Sequence, residues 1–339
     1  MADAAPFRPA WWLPGRHAQT VWGQIGRSRR IVSYERESLE TPDGDEIVLD
    51  HVRGRPGSPR LLLLHGLEGS SYSVYIQNLA RLAQAQGWSV TVLNLRGCAR
   101  DPENTWTWIP NRRPRLYHSG ETGDPDFVIR LLARRHPSEA LVAIGVSVGG
   151  NILLKWLGEN PEQTVLSAVV TISVPYDLAA ASRHMETKVG RYYLKWFLPT
   201  LREKMLHLAA RFPEVREIMD IEAANRAIDF HPFDQAATAP IHGFDGADDY
   251  YERCSSLRFI DRIRTPTLCL SARDDPFLPP RILDELAKTP SPSVEVSVTP
   301  TGGHVGWVSG RHPGKIHYWA EEKALGWLIE RTGRPAAPA

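Results

Sequence analysis

The run Ala140-Leu-Val-Ala-Ile-Gly145-Val-Ser147-Val-Gly149-Gly-Asn-Ile-Leu-Leu-Lys-Trp156 decides how the rest of the chain is read. Its first half is short and apolar, the pattern of a strand covered on both faces. Its second half is helix-compatible, and Gly145-Val-Ser-Val-Gly149 leaves only a sharp turn between them. A serine on such a turn sits in a strained backbone at the strand end, and the flanking glycines let helix and strand approach without Cβ clashes. This is the strand-turn-helix setting of a nucleophile elbow, with Ser147 as the candidate nucleophile.

Outward from this run, further apolar or β-branched segments at residues 60–65, 89–95, 168–173, 267–271 and 294–298 read as strands. Helical stretches at 74–86, 124–135, 149–159, 281–288 and 317–331 alternate with them. Strands alternating with helices imply βαβ units, hence an α/β fold with a mostly parallel central sheet and helices on both faces. Residues 31–39 and 46–52 alternate apolar and polar around Thr41-Pro-Asp-Gly44, the pattern of a hairpin with one wet face. Residues 176–263 offer no convincing strand but contain helix-compatible segments at 192–212 and 215–225, and so read as a helical cap inserted over one end of the sheet. The expected organisation is an arm at 1–30, a core at 31–175 and 264–333, the cap at 176–263, and a loose tail at 334–339. The arm carries Trp11, Trp12 and Trp22, ends in Arg27, Arg29 and Arg30, and has neither helical nor strand period. The irregular stretch 97–123, with Trp106 and Trp108, is long enough to suggest a functional loop.

Composition narrows the function. With 339 residues, 42% hydrophobic and 23% charged, the chain has the makeup of a globular protein with a substantial core. Forty Lys and Arg against 39 Asp and Glu give a net charge of +1, so no field of one sign is available to hold nucleic acid. Three cysteines, Cys98, Cys254 and Cys269, form no CxxC pair and leave one over, which fits a reducing compartment better than a disulfide framework. No signal-peptide pattern opens the sequence and no apolar run is long enough to span a bilayer, so the expectation is a cytoplasmic protein without stable membrane insertion. Oligomeric state is not legible.

A serine hydroxyl becomes a strong nucleophile only when a positioned imidazole takes its proton and a carboxylate orients that imidazole. On parallel sheets of this kind the acid follows the serine in the chain and the histidine comes last. Asp274 and Asp275 follow the 267–271 strand, and His304 follows the 294–298 strand within Thr301-Gly-Gly-His-Val-Gly306. Ends of successive parallel strands converge on one edge, which allows such distant residues to meet. Asp275 is preferred because Asp275-Pro276-Phe-Leu-Pro279 sets its carboxylate before a rigid turn, whereas Asp274 is expected to point elsewhere, toward solvent. The oxyanion formed when serine attacks a carbonyl needs donors, and the backbone amides of Leu67, in His65-Gly-Leu-Glu-Gly69, and Val148 are the expected pair. Glu68 would oppose developing negative charge, so its side chain is expected to turn away. Cys98 reads as a small buried residue and the tryptophans at 11, 12, 106 and 108 as packing groups rather than pocket walls. Asp248 and Asp249 read as a solvated helix start. No Walker A, HExxH, EF-hand or complete GxGxxG pattern occurs, so neither a metal nor a cofactor is expected.

The chain resembles the YheT-like family of α/β-hydrolases, whose eukaryotic relatives include lipid-directed esterases and phospholipases. The likeness rests on Phe7-Arg-Pro-Ala-Trp-Trp-Leu-Pro14, His17-Ala-Gln-Thr20, His65-Gly-Leu-Glu-Gly-Ser70, Asn94-Leu-Arg-Gly-Cys98, Tyr117-His-Ser-Gly-Glu-Thr122, the elbow, Asp274-Asp-Pro-Phe277 and Gly302-Gly-His304. It implies a Ser147, Asp275, His304 triad acting on small-molecule carboxylic esters with short- to medium-chain or lipid-like acyl groups. The segment between Cys98 and Tyr117 looks longer than the family's usual version. Two other readings stay open: acyl transfer by the same triad, and a non-catalytic scaffold that binds a lipid or protein partner.

Overall fold

The computed structural model describes residues 6–25, 27, 31–289 and 291–332; the expected tail and the arginines at 29 and 30 lie outside them. Eight strands form the central sheet: β1 (Glu35–Glu40), β2 (Glu46–Val52), β3 (Arg60–Leu64), β4 (Ser89–Asn94), β5 (Leu141–Val146), β6 (Leu166–Ile172), β7 (Thr267–Ala272) and β8 (Val294–Thr299). Their spatial order is β1-β2-β4-β3-β5-β6-β7-β8. β2 runs antiparallel to both β1 and β4, and every pairing from β4 across to β8 is parallel. The parallel fold expected from the βαβ pattern is therefore the one present, with the hairpin as its antiparallel edge.

Helices cover both faces, among them α1 (Gly15–Ile25), α2 (Val74–Ala85), α3 (Gly123–Arg135) and α4 (Val148–Glu159). The continuous apolar runs are explained by that cover. Leu61 and Leu63 of β3 pack with α2 on one face, while Leu62 and Leu64 pack with α3 and α4 on the other, so no position of the strand meets water.

Between β6 and β7 the chain makes α5 (Leu178–Met185), α6 (Lys188–Arg211), α7 (Ile221–Arg226), α8 (Phe230–Phe233), a π-helical turn (Asp234–Thr238), α9 (Ala239–Ile241) and α10 (Ala247–Cys254). These helices build a hydrophobic cluster of their own, centred on Leu194, Leu198, Met205 and Phe233. α6 begins earlier than its apolar spacing suggests and continues through Pro199. The segment expected as one helix at 215–225 is broken, because Asp220 accepts the Ala223 amide at 2.9 Å and caps a new helix there. After β7 come α11 (Arg281–Lys288), β8, a small hairpin of β9 (Val308–His312) and β10 (Lys315–Tyr318), and α12 (Trp319–Thr332). The hairpin takes the residues that the sequence offered as the start of the last helix.

The arm departs from expectation more. Residues 15–25, read from the sequence as lacking a helical period, fold as α1: Ala18, Val21, Trp22 and Ile25 stand at helical spacing, and tertiary contacts anchor the helix. Gln19 donates to the Leu13 and Val308 carbonyls and accepts the Val308 amide at 2.7 Å, tying the arm to β9.

Candidate active site

Ser147 lies between β5 and α4 with φ 53° and ψ −119°, a backbone that a side-chain-bearing residue rarely adopts. Close packing imposes it. A Cβ on Gly149 would stand 2.5 Å from the Leu64 carbonyl oxygen and 2.6 Å from that of His65, and one on Gly145 would stand 2.5 Å from the Gly149 oxygen. Both outer positions of the pentapeptide are therefore closed to any larger residue.

His304 arrives in the loop after β8. Its Nε2 is 3.2 Å from Ser147 Oγ, and its Nδ1 is 2.8 Å from Asp275 Oδ2. Asp275 is buried, and its other oxygen accepts the Phe277 amide at 2.8 Å, which fixes the carboxylate. The Phe277 ring lies 4.1 Å from the imidazole centroid to centroid, walling one side of it. Asp274 does not point to bulk solvent as expected: its Oδ1 accepts the Gly303 amide at 2.9 Å, so the two adjacent aspartates hold the histidine loop and the histidine ring respectively.

α1 completes this loop. Thr20 Oγ1 accepts the His304 amide at 2.9 Å and donates to the Arg16 carbonyl. Gly303, at φ 65°, passes so close to α1 that a Cβ there would stand 2.6 Å from the Arg16 oxygen. Ser173 Oγ accepts the next amide, that of Val305, at 3.0 Å. The arm thus supports the histidine, a role its irregular composition did not reveal; the His17-Ala-Gln-Thr20 motif was the only signal.

The turn after β3 is equally fixed. His65 Nε2 accepts the Leu95 amide and Nδ1 contacts the Gly66 carbonyl at 2.8 Å, and burial pulls the imidazole down to about 4, so it remains neutral. Tyr75 and Tyr117 hydroxyls accept the Gly66 and Glu68 amides at 2.9 and 2.8 Å. The Leu67 amide between them, and that of Val148 at the start of α4, have no acceptor among the described residues.

Glu68, whose side chain is expected to turn away, carries it into the protein rather than out to solvent. At φ 55° its carboxylate points beneath the cap, where Lys204 of α6 meets Oε1 at 2.8 Å and the Tyr117 hydroxyl donates to the same oxygen at 2.9 Å. Burial, the largest single influence, raises the Glu68 carboxyl, but the Lys204 charge and the hydrogen bonds from Lys204, Tyr117 and Thr200 together outweigh it and hold the group below the usual carboxylate range. Lys204 also donates to Cys98 Sγ at 3.3 Å; burial pushes that thiol up to about 11, so Cys98 is the small buried group expected. The sequence placed none of this, since Glu68 and Lys204 meet only through the cap.

Above Ser147 is a cavity of about 500 Å³, lined by the turn after β3, α1, α6 and later helices between β6 and β7. Much of its wall is apolar, with Met185, Tyr193, Phe197, Leu201 and Phe277 among the lining groups. Trp11, Trp12, Trp106 and Trp108 do not line it, whereas Trp196 does and is 67% exposed at the protein surface. His118 of the long loop also lines the cavity, and its burial and its neighbour His242, ring centroids 4.5 Å apart, keep it neutral.

Comparison with known proteins agrees with this architecture. Residues 59–309 match the α/β hydrolase fold family. The chain is 34% identical over 334 residues to the putative esterase YheT of Escherichia coli, covering 96% of this chain and 94% of that one. It belongs to the YheT-like family of α/β-hydrolases. Within this family relationship, the bovine phospholipase ABHD3 is 31% identical over 92% of this chain and 75% of its own. The esterase Pf2001 of Pyrococcus furiosus shares the fold at a TM-score of 0.56 and 17% identity, covering 88% of this chain and 90% of that one. Among the described residues, no helix of this α/β-hydrolase is long and apolar enough to cross a membrane.

Proposed function

We propose that this ester hydrolase cleaves carboxylic esters of short- to medium-chain or lipid-like acyl groups through an acyl-enzyme on Ser147. The observation that carries the reading is the unbroken chain from Asp275 through His304 to Ser147, at 2.8 and 3.2 Å, opening into one large and mainly apolar cavity.

His304 Nε2 takes the Ser147 proton as Oγ attacks the ester carbonyl, while Asp275 holds the Nδ1–H and stabilises the imidazolium. The Leu67 and Val148 amides donate to the oxyanion; their lack of an internal acceptor suits that role. His304 returns the proton to the leaving alcohol, and a water, deprotonated by the same imidazole, releases the acid. The Glu68 carboxylate is ionised but paired with Lys204, which offsets its negative charge near the oxyanion. No step calls on a metal or cofactor.

In this reading residues 31–175 and 264–333 form the catalytic core, 176–263 a cap that shapes the pocket, and the arm at 1–30 a brace for His304. Val21 and Ile25 of α1 and Tyr192 and Trp196 of α6 are exposed and line the same cavity, which gives a lipid-like ester an apolar way in without membrane insertion. All three cysteines are free thiols, which suits a reducing compartment, and we place the enzyme in the cytoplasm.

The test is intact-mass labelling with a fluorophosphonate. A single adduct on the wild type that is lost in Ser147→Ala supports the reading, and a folded wild type that takes no adduct overturns it. Product analysis with and without an added alcohol separates hydrolysis from acyl transfer.

A further inference from the structure

One wall of the cavity does not fit an acyl chain. Asp234, at the start of the π-helical turn, lines it together with Tyr250 and Tyr251 of α10 and Phe230 of α8. Such π-helical turns recur at functional sites. Its carboxylate is held on both oxygens, by Thr238 Oγ1 at 2.6 Å and by the Tyr251 hydroxyl at 2.7 Å. It lies deep in the protein, and burial pushes it up to about 6. It nonetheless keeps some accessible area and is among the residues that line the cavity.

What distinguishes Asp234 is that no fixed positive charge is paired with it among the described residues: no Lys or Arg there forms an ion pair with it. The other carboxylate of the cavity, Glu68, is paired with Lys204. Arg100 lines the cavity on the far side, where it donates to the Glu68 carbonyl at 3.4 Å, and His231, whose charge acts on Asp234, directs its ring nitrogen to Asp248. Two hydroxyl donors ease the burial of a carboxylate but do not balance its charge. Aromatic side chains share this wall: Tyr251, whose hydroxyl meets Asp234, packs on Tyr250 at 5.2 Å between centroids, and Phe230 lines the same cavity. A fixed anion among aromatic faces is the chemistry that recognises an ammonium group.

We propose that Asp234, with the surrounding tyrosine and phenylalanine rings, forms a subsite for an ammonium group carried by the ester substrate. This rests on the ester-hydrolase reading above and adds to it a substrate class. The apolar wall takes the acyl chain and the Asp234 wall takes a positively charged part of the same molecule.

The test uses an isosteric pair: choline butyrate, and the uncharged ester in which a tert-butyl carbon replaces the ammonium nitrogen. Shape and acyl group are shared, so the ratio of their kcat/KM values reports the charge alone. The wild type is expected to favour the charged ester by about tenfold, the size of a desolvated cation–π and carboxylate contact, and Asp234→Asn is expected to bring the ratio close to unity. Equal turnover of the pair by the wild type overturns the proposal, as does an unchanged ratio in a natively melting Asp234→Asn. Should that variant fail to fold, tetramethylammonium decides: the subsite requires that it compete with the charged ester on the wild type, and no competition overturns it. Hydrolysis of neither ester counts instead against the acyl-enzyme reading, and the subsite then stands or falls on whether tetramethylammonium raises the wild-type melting temperature.

Discussion

Lys204 Nζ lies 2.8 Å from Glu68 Oε1, with both side chains almost wholly buried, so a cap helix is fastened by charge to the residue that follows Leu67. The turn expected to supply an oxyanion donor is therefore shaped partly by the cap. Removing one partner strands a buried charge, at a cost of about 3–5 kcal/mol. Lys204→Met is expected to lower the denaturation midpoint sharply and to reduce ester kcat more than it alters KM. The double variant Glu68→Gln with Lys204→Met should recover much of the stability, as a double-mutant cycle by urea denaturation checks. The pair also carries a pH signature. Glu68 is held below its unfolded value, so its contribution is present above the usual carboxylate range and is lost as pH falls through the lowered value. The stability gap between wild type and double variant should narrow on acidification.

Asp274 and Asp275 are neighbours with different tasks, and their amide variants should separate them. Asp275→Asn, with its oxygen kept on the Phe277 amide, turns an NH2 toward His304 Nδ1, favours the wrong tautomer and removes the charge that balances the imidazolium, and is expected to cost on the order of 10⁴-fold in kcat with a near-native melt. Asp274→Asn keeps an oxygen for the Gly303 amide and should cost far less. Steady-state ester kinetics on the two purified variants is the measurement; equal losses would mean that the two carboxylates share the task.

Thr20 gives a test of the arm. Thr20→Val keeps the shape but removes the oxygen that accepts the His304 amide, leaving a buried donor without a partner at a cost of about 1–3 kcal/mol. A loss of kcat together with a lowered melting temperature is expected. Thr20→Ser, which keeps the oxygen, should restore most of both.

The glycines of the elbow should be intolerant in a position-dependent way. Gly149→Ala places a Cβ against two backbone oxygens that cannot retreat, and soluble expression should collapse. Gly326→Ala, in the middle of α12 with open space around the new atom, should instead raise stability by about 0.5–1 kcal/mol. Thermal melts of the pair check both signs.

Thiol chemistry should be silent. Burial pushes Cys98 and Cys269 up to about 11 and Cys254 up to about 12, so little thiolate exists at about pH 8. Native protein is expected to resist iodoacetamide, counted by intact mass, while a fluorophosphonate still labels it. Denaturant should release all three thiols.

The parts legible in the sequence are those set by local pattern. Continuous apolar runs such as 60–64 betray strands buried on both faces, and Gly145-Val-Ser-Val-Gly149 betrays a turn that only glycines can flank, because both constraints act on neighbouring residues. The order of Ser147, Asp275 and His304 was readable because each follows a strand, and parallel strand ends share one edge. The helix at residues 15–25 was missed although Ala18, Val21, Trp22 and Ile25 stand at helical spacing; what was not readable was its anchoring, since Gln19 and Thr20 find their partners in β9 and the His304 loop, far along the chain. Nor were the roles of Lys204 and Asp234. A lysine in an amphipathic helix and an aspartate before a short turn look solvated in sequence, and only the docking of the cap onto the sheet buries one against Glu68 and turns the other into the cavity. Local sequence thus determined the sheet, the strand-turn-helix around Ser147 and the chain order of Ser147, Asp275 and His304, while tertiary structure alone decided how α1 and the helices between β6 and β7 complete the site, because their side chains acquire partners only across long stretches of chain.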